Sequence, residues 1–298
     1  MGIMMINGGL RTKGITKNST AEKPLISVVT VVYNGEKTLE QTILSVVNQT
    51  YNNVEYIIID GGSKDNTLDI IKKYEDKIDY WQSEPDKGIY DAMNKGIKLA
   101  TGEFIYILGC DDFLIDKDIF ENIKIYLNIN NDVVCGNVWS VNNKAFQYEF
   151  NNNYDNTIAE DLQKGISAPH QGIFIRRSIM NNYLFDTKYQ IAADYKLNLQ
   201  LWTDKNIKIL KIKDKIAYYN IEGTSGKTME QRNAETIDIL KEFNLEHCID
   251  NYLKHHKSPS RIKSNIVNSY CYNVIKFYLK KLQKHACQWE KCPYCKRG

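Results

Sequence analysis

The feature that most constrains this chain is a regular alternation of strand-like and helix-like segments in its first half. Runs of β-branched and other apolar residues at 26–32, 54–59, 78–81 and 104–108 have the composition of buried strands. Each of the first three is followed by turn residues and then by apolar residues at helical spacing. Three such units in succession predict an α/β fold, in which helices cover a parallel sheet.

The later part of the chain has a less regular pattern. Apolar spacing predicts a helix over 116–129, a strand over 132–138 and a second helix over 195–203. Two further strand-like runs, at 207–212 and 216–219, are separated by Lys, Asp and Lys. We expect these two runs to form a closing hairpin.

Length and composition limit the class of protein. The 298 residues suffice for one domain of about 250 residues and an appendage, and 43% hydrophobic residues is ordinary for a globular protein. No apolar run approaches the roughly 20 residues of a membrane span, and the N-terminus lacks a secretory-signal pattern. The seven cysteines are irregularly spaced, which argues against a disulfide framework and favours a cytoplasmic location.

Composition also divides the chain into three parts. Residues 1–23 are polar and rich in Gly, Lys and Thr, which predicts a mobile or loosely docked leader. Residues 24–225 hold the α/β domain, and residues 226–298 predict a helical appendage with a Cys-rich end. Net charge is uneven, because residues 252–298 carry +10 whereas residues 1–251 carry −7.

Polar residues gather where three of the predicted parallel strands end. These are Thr30–Tyr33, Asp60–Ser63 and the adjacent pair Asp111–Asp112. Ligands bind at the carboxyl ends of the strands in open α/β sheets, so we expect the three segments to share one site. Two adjacent carboxylates suit Mg²⁺ or Mn²⁺ bound together with a phosphate. The alternative is that the pair is a solvated turn that caps the next helix.

Five motifs, in this order and spacing, resemble the family-2 glycosyltransferases of bacterial polysaccharide biosynthesis. They are Val31–Glu36, Asp60–Asp65, Gly88–Gly96, Thr101–Glu103 and Asp111–Asp112. The resemblance covers roughly residues 24–225. It implies the GT-A fold, a Rossmann-like three-layer αβα sandwich with a mixed, mostly parallel sheet. It also implies metal-dependent transfer of a sugar from a nucleotide-diphosphate donor, with inversion.

The resemblance assigns roles position by position. The residues expected to bind the nucleotide sugar are Thr30, Val32, Tyr33, Asp60, Lys87 and Asp111. Asp112, together with Asp111, would hold Mn²⁺ or Mg²⁺ on the donor diphosphate. Asp194 would be the catalytic base, and His170 would lie on the acceptor side. The segment Gly223–Gly226 resembles the loop that closes over the product.

The chemistry of transfer needs these residue types. A metal neutralises the charge that develops on the leaving diphosphate, and a hydroxyl acceptor needs a positioned base. The sequence departs from the family pattern at Gly61, where many members have a second Asp that contacts the base of the nucleotide. The identity of the base is therefore left open.

Each candidate also has a structural alternative. Asp60 could only cap its turn, and Asp194 could be the N-cap of its helix. Lys87 could be a solvated charge, and His170 could be a structural histidine beside an apolar run.

The basic C-terminal part contains an apolar repeat and a group of His and Cys residues, and each of these has two interpretations. Apolar residues recur every fourth position between Ile262 and Leu282, which predicts an amphipathic helix that either lies on an anionic membrane surface or packs on the body. His285, Cys287, Cys292 and Cys295 form a possible structural Zn²⁺ set, or else an unligated terminus. Membrane contact would make the protein peripheral at the inner face of the membrane.

We therefore expect a glycosyltransferase whose partners are a nucleotide-diphosphate sugar and a glycan or lipid-linked acceptor, with no nucleic acid. One alternative is a nucleotidyltransferase, which would require a basic, Gly-rich phosphate-binding loop after the first strand. Val31–Glu36 contains one Gly and no basic residue. The other alternative is a nucleotide-sugar-binding protein with reduced catalysis, which the presence of Asp111, Asp112 and Asp194 argues against.

Overall fold

The computed structural model describes residues 5–141, 146–150, 168–220 and 229–256. The strands are β1 (Ile6–Gly8), β2 (Ile26–Val32), β3 (Val54–Asp60), β4 (Tyr80–Ser83), β5 (Phe104–Gly109), β6 (Phe113–Leu114), β7 (Val133–Val141), β8 (Phe146–Phe150), β9 (Ile173–Arg176) and β10 (Ile209–Asn220). The helices are α1 (Leu39–Val47), α2 (Thr67–Lys73), α3 (Ile89–Leu99), α4 (Ile119–Ile123), α5 (Arg177–Met180), α6 (Ala193–Thr203), α7 (Met229–Glu242) and α8 (Ile249–His256).

The described strands form one mixed sheet in the order β1-β4-β3-β2-β5-β9-β7-β10-β6, with β8 paired to the end of β7. Strands β4, β3, β2 and β5 are parallel, as the alternation predicts. Thr30 lies opposite Ile58 on one side and Leu108 on the other, so these strands end at the same edge. The long pairings are parallel, whereas β9 and the short strands β1 and β6 pair antiparallel.

Helices cover both faces of the sheet, which gives three layers. Side chains alternate along β2, so Val29 and Val31 join one apolar core and Val28 and Val32 join the other. The first core contains buried residues of α3, α6 and α7, and the second contains those of α1, α2 and α4. Within the described residues, no helix has the length and apolar character needed to cross a bilayer.

The leader differs from the expectation of loose attachment. Strand β1 extends the sheet by pairing antiparallel with β4. Arg11 donates to the carbonyl of Leu99 at 2.8 Å, and Lys17 forms an ion pair of 2.8 Å with Asp79, whose side chain is buried. Polar composition concealed these contacts, because they are made by backbone groups and by single charged side chains rather than by an apolar stripe.

Two predicted elements near the far edge of the sheet are also wrong in form. The expected hairpin is one long strand, β10, which runs parallel to β7 with register shifts between Lys211 and Ala217. The polar residues at 213–215 therefore mark a bulge rather than a turn. The helix predicted over 116–129 is a short α4 followed by a 3-10 turn at Lys124–Tyr126.

The expected C-terminal appendage is helical where it is described, and it belongs to the main core. Ile239 and Leu240 of α7 are fully buried, and Tyr252 of α8 is 1% exposed. The product-closing segment Gly223–Gly226, the amphipathic helix over 262–282 and the proposed zinc ligands His285, Cys287, Cys292 and Cys295 lie outside the described residues.

Candidate functional site

The loops that follow β2 and β3 are joined to each other by hydrogen bonds. The backbone N–H groups of Asn34, Gly35 and Glu36 donate to side chains of the second loop at 2.7, 2.8 and 3.1 Å. The acceptors are Ser63, Thr67 and Asp65. In return, the N–H of Lys64 donates to Asn34 Oδ1 at 2.9 Å. Asn34 adopts a left-handed φ of 52°, which asparagine tolerates better than most residues. The two loops thus form one rigid platform.

Tyr33 is the exposed aromatic side chain on this platform, with 59% of its surface accessible. An accessible ring beside the strand ends can contact a nucleotide base, so its position agrees with the expected role. Thr30 and Val32 lie differently. Thr30 is fully buried and its hydroxyl accepts a hydrogen bond of 3.2 Å from Tyr56, while Val32 is 4% exposed in the core. Neither side chain offers a surface to a base, so the predicted contacts by Thr30 and Val32 are not supported.

Asp60 is buried at the end of β3 and holds its own turn. The backbone N–H of Ser63 donates to its carboxylate at 3.1 Å, and the hydroxyls of Ser63 and Ser83 also donate to it. This is the turn-capping alternative considered for Asp60. Its oxygens are engaged by the protein, so the side chain positions the loop rather than facing a ligand.

The next residue, Gly61, leaves room for a carboxylate from another loop. A Cβ built on Gly61 would lie 2.3 Å from Oδ2 of Asp86, so a side chain at position 61 requires Asp86 to move. Asp86 follows β4, and the backbone N–H of Gly88 donates to it at 2.8 Å. Burial raises the pKa of the Asp86 carboxyl above its ordinary value. The structure therefore places Asp86 beside the position where the family pattern has its second Asp.

Lys87, on the same loop, is exposed, and its backbone N–H donates to Asp91 at 3.0 Å. That hydrogen bond fixes the first turn of α3. The Lys87 side chain lies in solvent, which is compatible with both interpretations of this residue.

The two carboxylates after β5 occupy different environments. Asp112 is 2% exposed, and both of its oxygens accept hydrogen bonds. The backbone N–H of Asn220 donates to Oδ1 at 2.9 Å, and Gln171 Nε2 donates to Oδ2 at 2.7 Å. Asp111 is only partly buried, and the side chain of Asn220 donates to its Oδ2 at 3.2 Å. Asp111 is thus the more accessible of the two.

The turn that carries Asp111 and Asp112 is closely packed, which disfavours the ionised form of both carboxyl groups. Burial, and then repulsion by Asp111, raises the pKa of Asp112, and burial also raises the pKa of Asp111. A Cβ on Gly109 would lie 2.6 Å from Asp112 Oδ2, so glycine is what allows the carboxylate to sit there. The Thr42 hydroxyl, on α1, contacts the carbonyls of Cys110 and Asp112 at 2.9 and 2.7 Å and so fixes the turn.

The partly accessible carboxylate of Asp111 is the type of ligand that a hard divalent cation prefers. The described part of the chain has no cluster of three or more His, Cys, Asp or Glu residues suited to a metal. A cation held by so few protein ligands would need oxygens from a bound phosphate to complete its coordination.

Asp194 lies on the other side of β5, in the first turn of α6. Its Oδ1 accepts a hydrogen bond of 2.8 Å from the N–H of Tyr195 and lies 3.2 Å from the hydroxyl of Tyr90. The N-cap residue of α6 is Ala192, so Asp194 is not the N-cap that the structural alternative requires. Asp194 and His170 both line a small cavity with an otherwise mostly apolar wall. Burial lowers the pKa of His170, although the charge of Asp194 opposes this shift.

The adjacent residues His170 and Gln171 connect the two groups of carboxylates. Gln171 hydrogen-bonds to Asp112, whereas His170 faces the cavity that contains Asp194. These two adjacent residues thus link Asp112 to the cavity that His170 and Asp194 line. Sequence analysis missed Gln171, Asn220, Tyr90 and Asp86. Two of them had a signal: Tyr90 lies within the Gly88–Gly96 motif, and the missing Asp at position 61 invites a search for a nearby replacement such as Asp86.

Comparisons with known proteins agree with this geometry. The model of Glycosyl transferase family 2 matches residues 27–187, more than half of the chain. A PGL/p-HBAD biosynthesis glycosyltransferase from Mycobacterium bovis (strain BCG / Pasteur 1173P2) is 27% identical over 212 residues, which cover 69% of this chain and 80% of that protein.

Two solved structures share the fold. Residues 1–349 of S. aureus TarS in complex with UDP-GlcNAc give a TM-score of 0.61 at 19% identity, covering 88% of this chain and 81% of that one. The mannosyltransferase PcManGT from Pyrobaculum calidifontis, solved with GDP-Man and Mn²⁺, gives 0.55 at 13% identity, covering 92% and 85%. The likeness confirms the expected GT-A fold. Taken with the family match, it leaves one conclusion: the chain belongs to glycosyl transferase family 2 and is a glycosyltransferase.

Proposed function

We propose that this enzyme transfers a sugar from a nucleoside diphosphate sugar to a hydroxyl of a glycan or lipid-linked acceptor, with inversion and with a divalent cation. The observation that supports the proposal is the pair of adjacent residues His170 and Gln171: Gln171 donates a hydrogen bond to Asp112, and His170 lines a cavity that Asp194 also lines. A donor diphosphate at the carboxylates Asp111–Asp112 would leave the anomeric carbon between these two acids and Asp194.

The nucleotide would lie on the platform built by the loops after β2 and β3. Tyr33 offers an exposed ring to the base, and Asp86 offers a carboxylate next to Gly61. Carboxylates accept hydrogen bonds from the N–H groups that uracil and guanine both carry. TarS was solved with UDP-GlcNAc and PcManGT with GDP-Man, and either base is compatible with this arrangement.

Asp111 is the residue that we assign to the cation, with Asp112 in a supporting role. Asp112 has both oxygens engaged and little surface, whereas Asp111 is accessible. Mn²⁺ or Mg²⁺ bound there would neutralise the negative charge that develops on the leaving diphosphate. Asn220 orients both carboxylates, because its backbone N–H donates to Asp112 and its side chain donates to Asp111.

Asp194 is the proposed base. The described residues provide hydrogen bonds to its Oδ1 only, which leaves Oδ2 to accept the proton of the acceptor hydroxyl. As that proton leaves, the acceptor oxygen bonds to the anomeric carbon, and the bond to the diphosphate oxygen breaks with its electron pair. Attack from the side opposite the leaving group inverts the anomeric centre. A positioned base contributes about 10²- to 10⁴-fold in rate.

A biosynthetic role in cell-surface glycans is proposed from the relatives, one of which is named for PGL/p-HBAD biosynthesis. The +10 charge of residues 252–298 would favour an anionic membrane surface, where a lipid-linked acceptor is found. This gives a cytoplasmic enzyme that is peripheral at the membrane.

The test is a panel of UDP- and GDP-sugars with Mn²⁺, scored by thermal shift and by release of nucleoside diphosphate with water as acceptor. The wild type should be stabilised by at least one donor and should release its diphosphate. Asp194→Asn should bind that donor equally well but release diphosphate at least about 100-fold more slowly. Asp76→Asn, an exposed acid after α2, is the matched control.

The outcome that contradicts the proposal is specific. Release by Asp194→Asn within a few-fold of wild type would remove Asp194 from the mechanism. Donor binding without any turnover in the wild type, with every acceptor tried, would favour a binding protein.

A further inference from the structure

The turn that leads into α6 is bound by a carboxylate from a different helix. Glu235, on α7, accepts hydrogen bonds from three consecutive backbone N–H groups: those of Gln190, Ile191 and Ala192. The N···O distances to Glu235 Oε2 are 3.1, 2.8 and 3.0 Å. Gln231, one helical turn earlier, donates to the other carboxylate oxygen of Glu235 at 3.0 Å. The turn is therefore held by one side chain.

This contact fixes the turn that immediately precedes α6. The first helical residue is Ala193, and the N-cap residue Ala192 makes no side-chain capping hydrogen bond. Glu235 therefore holds the chain at the point where it enters the helix. Asp194 follows only two residues after the last of the three N–H groups.

Tyr90 connects the same turn to Asp194. Its hydroxyl lies 2.8 Å from the carbonyl oxygen of Ile191 and 3.2 Å from Asp194 Oδ1, so one hydrogen serves both acceptors. The ring of Tyr90 stacks on Phe185 with centroids 5.2 Å apart, which limits its movement. A displacement of Ile191 would therefore move the hydroxyl that orients Asp194.

Helix α7 is itself firmly attached. Ile239 and Leu240 are fully buried, and Lys196 of α6 forms ion pairs with Glu242 at 2.6 Å and with Asp186 at 2.7 Å. The helix that carries Glu235 thus packs on the same apolar core as α6, the helix that carries Asp194. This helix lies beyond residues 27–187, the part that matches the family model.

We propose that Glu235 is a positioning residue for the reaction, which fixes the Gln190–Ala192 turn and thereby sets the position of Asp194. The inference rests on the proposed function, in which Asp194 is the base. It makes α7 a part of the active-site architecture rather than an appendage.

The test compares Glu235→Ala and Glu235→Gln with Glu230→Ala, an exposed position in the first turn of the same helix. The probe is Mn²⁺-dependent release of nucleoside diphosphate from the best donor of the panel, with water as acceptor. We expect Glu235→Ala to lower kcat about 10- to 100-fold, because small displacements of reacting groups have effects of that size. Donor affinity should stay within twofold, and Glu230→Ala should match wild type.

A further measurement separates positioning from general stability. Amide hydrogen exchange of Gln190–Ala192 should be slow in wild type and at least tenfold faster in Glu235→Ala, with exchange in β2 and β5 unchanged.

Three results would overturn the inference. They are wild-type kcat in Glu235→Ala, unchanged exchange of the turn, or equal losses of kcat and of exchange protection throughout the core. The proposed function fails separately. If Asp194→Asn keeps its turnover, the base is wrong; if Asp194→Asn is inactive but Glu235→Ala is normal, only the role of Glu235 is wrong.

Discussion

Gln171 donates a hydrogen bond of 2.7 Å to Asp112 Oδ2, while its own Oε1 is buried and receives none from the described residues. An unpaired buried acceptor is uncommon in folded proteins. Rotation of the Gln171 amide would exchange its donor for this acceptor. Gln171 can therefore pair with a neutral, hydrogen-donating group at position 112 as well as with a carboxylate.

This relationship separates the roles of the two adjacent acids. In Asp112→Asn, the Asn220 N–H keeps an oxygen acceptor, and Gln171 can rotate to accept from the new amide. We expect the melting temperature to stay within a few degrees of wild type and Mn²⁺-dependent donor binding to stay within a few-fold. Asp111→Asn should lower that binding at least roughly tenfold, or about 1.4 kcal/mol. Calorimetry with Mn²⁺ and with EDTA checks both, and the reverse ranking would return the cation to Asp112.

Asp86 should contribute to nucleotide binding because it stands beside Gly61. We expect Asp86→Ala to weaken donor affinity about 10- to 100-fold, which corresponds to the loss of one hydrogen bond to a charged group. Gly61→Asp should also weaken binding, because its Cβ would collide with Asp86. The double variant Gly61→Asp with Asp86→Gly moves the carboxylate and should recover part of the affinity. Failure of the pair to exceed Gly61→Asp alone would argue against a shared position.

The attachment of α7 should depend on pH through Lys196. The hydrogen bond from Lys196 lowers the pKa of Glu242 below its ordinary value of 4.5. A carboxyl whose pKa is lowered by folding stabilises the folded state when the pH is above the unfolded-state pKa. This stabilisation is lost as the pH falls through the folded-state pKa. We expect Lys196→Met to lose about 1–2 kcal/mol at pH 7, which corresponds to roughly 2–8 °C in melting temperature.

The difference in melting temperature between Lys196→Met and wild type should become smaller below about pH 4. Lys188→Met is the control, because its ion pair with Asp238 is exposed at 62% and 51%. It should leave the melting temperature close to that of wild type, because an exposed ion pair contributes little to stability. A constant difference across pH would show that Lys196 acts through packing of its aliphatic part.

Truncation after Lys257 should separate location from catalysis. It removes most of the basic region but keeps α7 and α8. We expect donor hydrolysis near wild type, with loss of salt-sensitive binding to anionic liposomes. Truncation after Gly226 should unfold the protein, because it exposes the core that Ile239 and Leu240 fill. Liposome binding that survives the first truncation would contradict a membrane role for the tail.

The sequence anticipated the fold best where burial dictates the pattern. Strands β2, β3 and β5 are buried on both faces, so their sequences are continuous apolar runs, and all three start at the predicted residues. Strand β10 was divided wrongly because the polar residues 213–215 have the composition of a turn, and only pairing to β7 shows that they form a bulge.

The sequence alone grouped Tyr33, Asp60 and the pair Asp111–Asp112, because a parallel sheet puts strand ends together. Asp194 and His170 were assigned only through the family resemblance, and they line one cavity. The burial of Thr30 could not be predicted, because motif position does not reveal which way a side chain faces. Gln171, Asn220 and Glu235 act through contacts across at least 40 residues of sequence, and no local pattern indicates such contacts.

The hydrogen bonds between the loops after β2 and β3 have a consequence for protein engineering. Residues 33–36 and 60–67 satisfy one another's backbone donors, so exchanging one loop alone would strand several N–H groups without acceptors. A transplant intended to change the preferred donor must carry both loops as one cassette. Under selection, the two loops should likewise accept substitutions as a single unit.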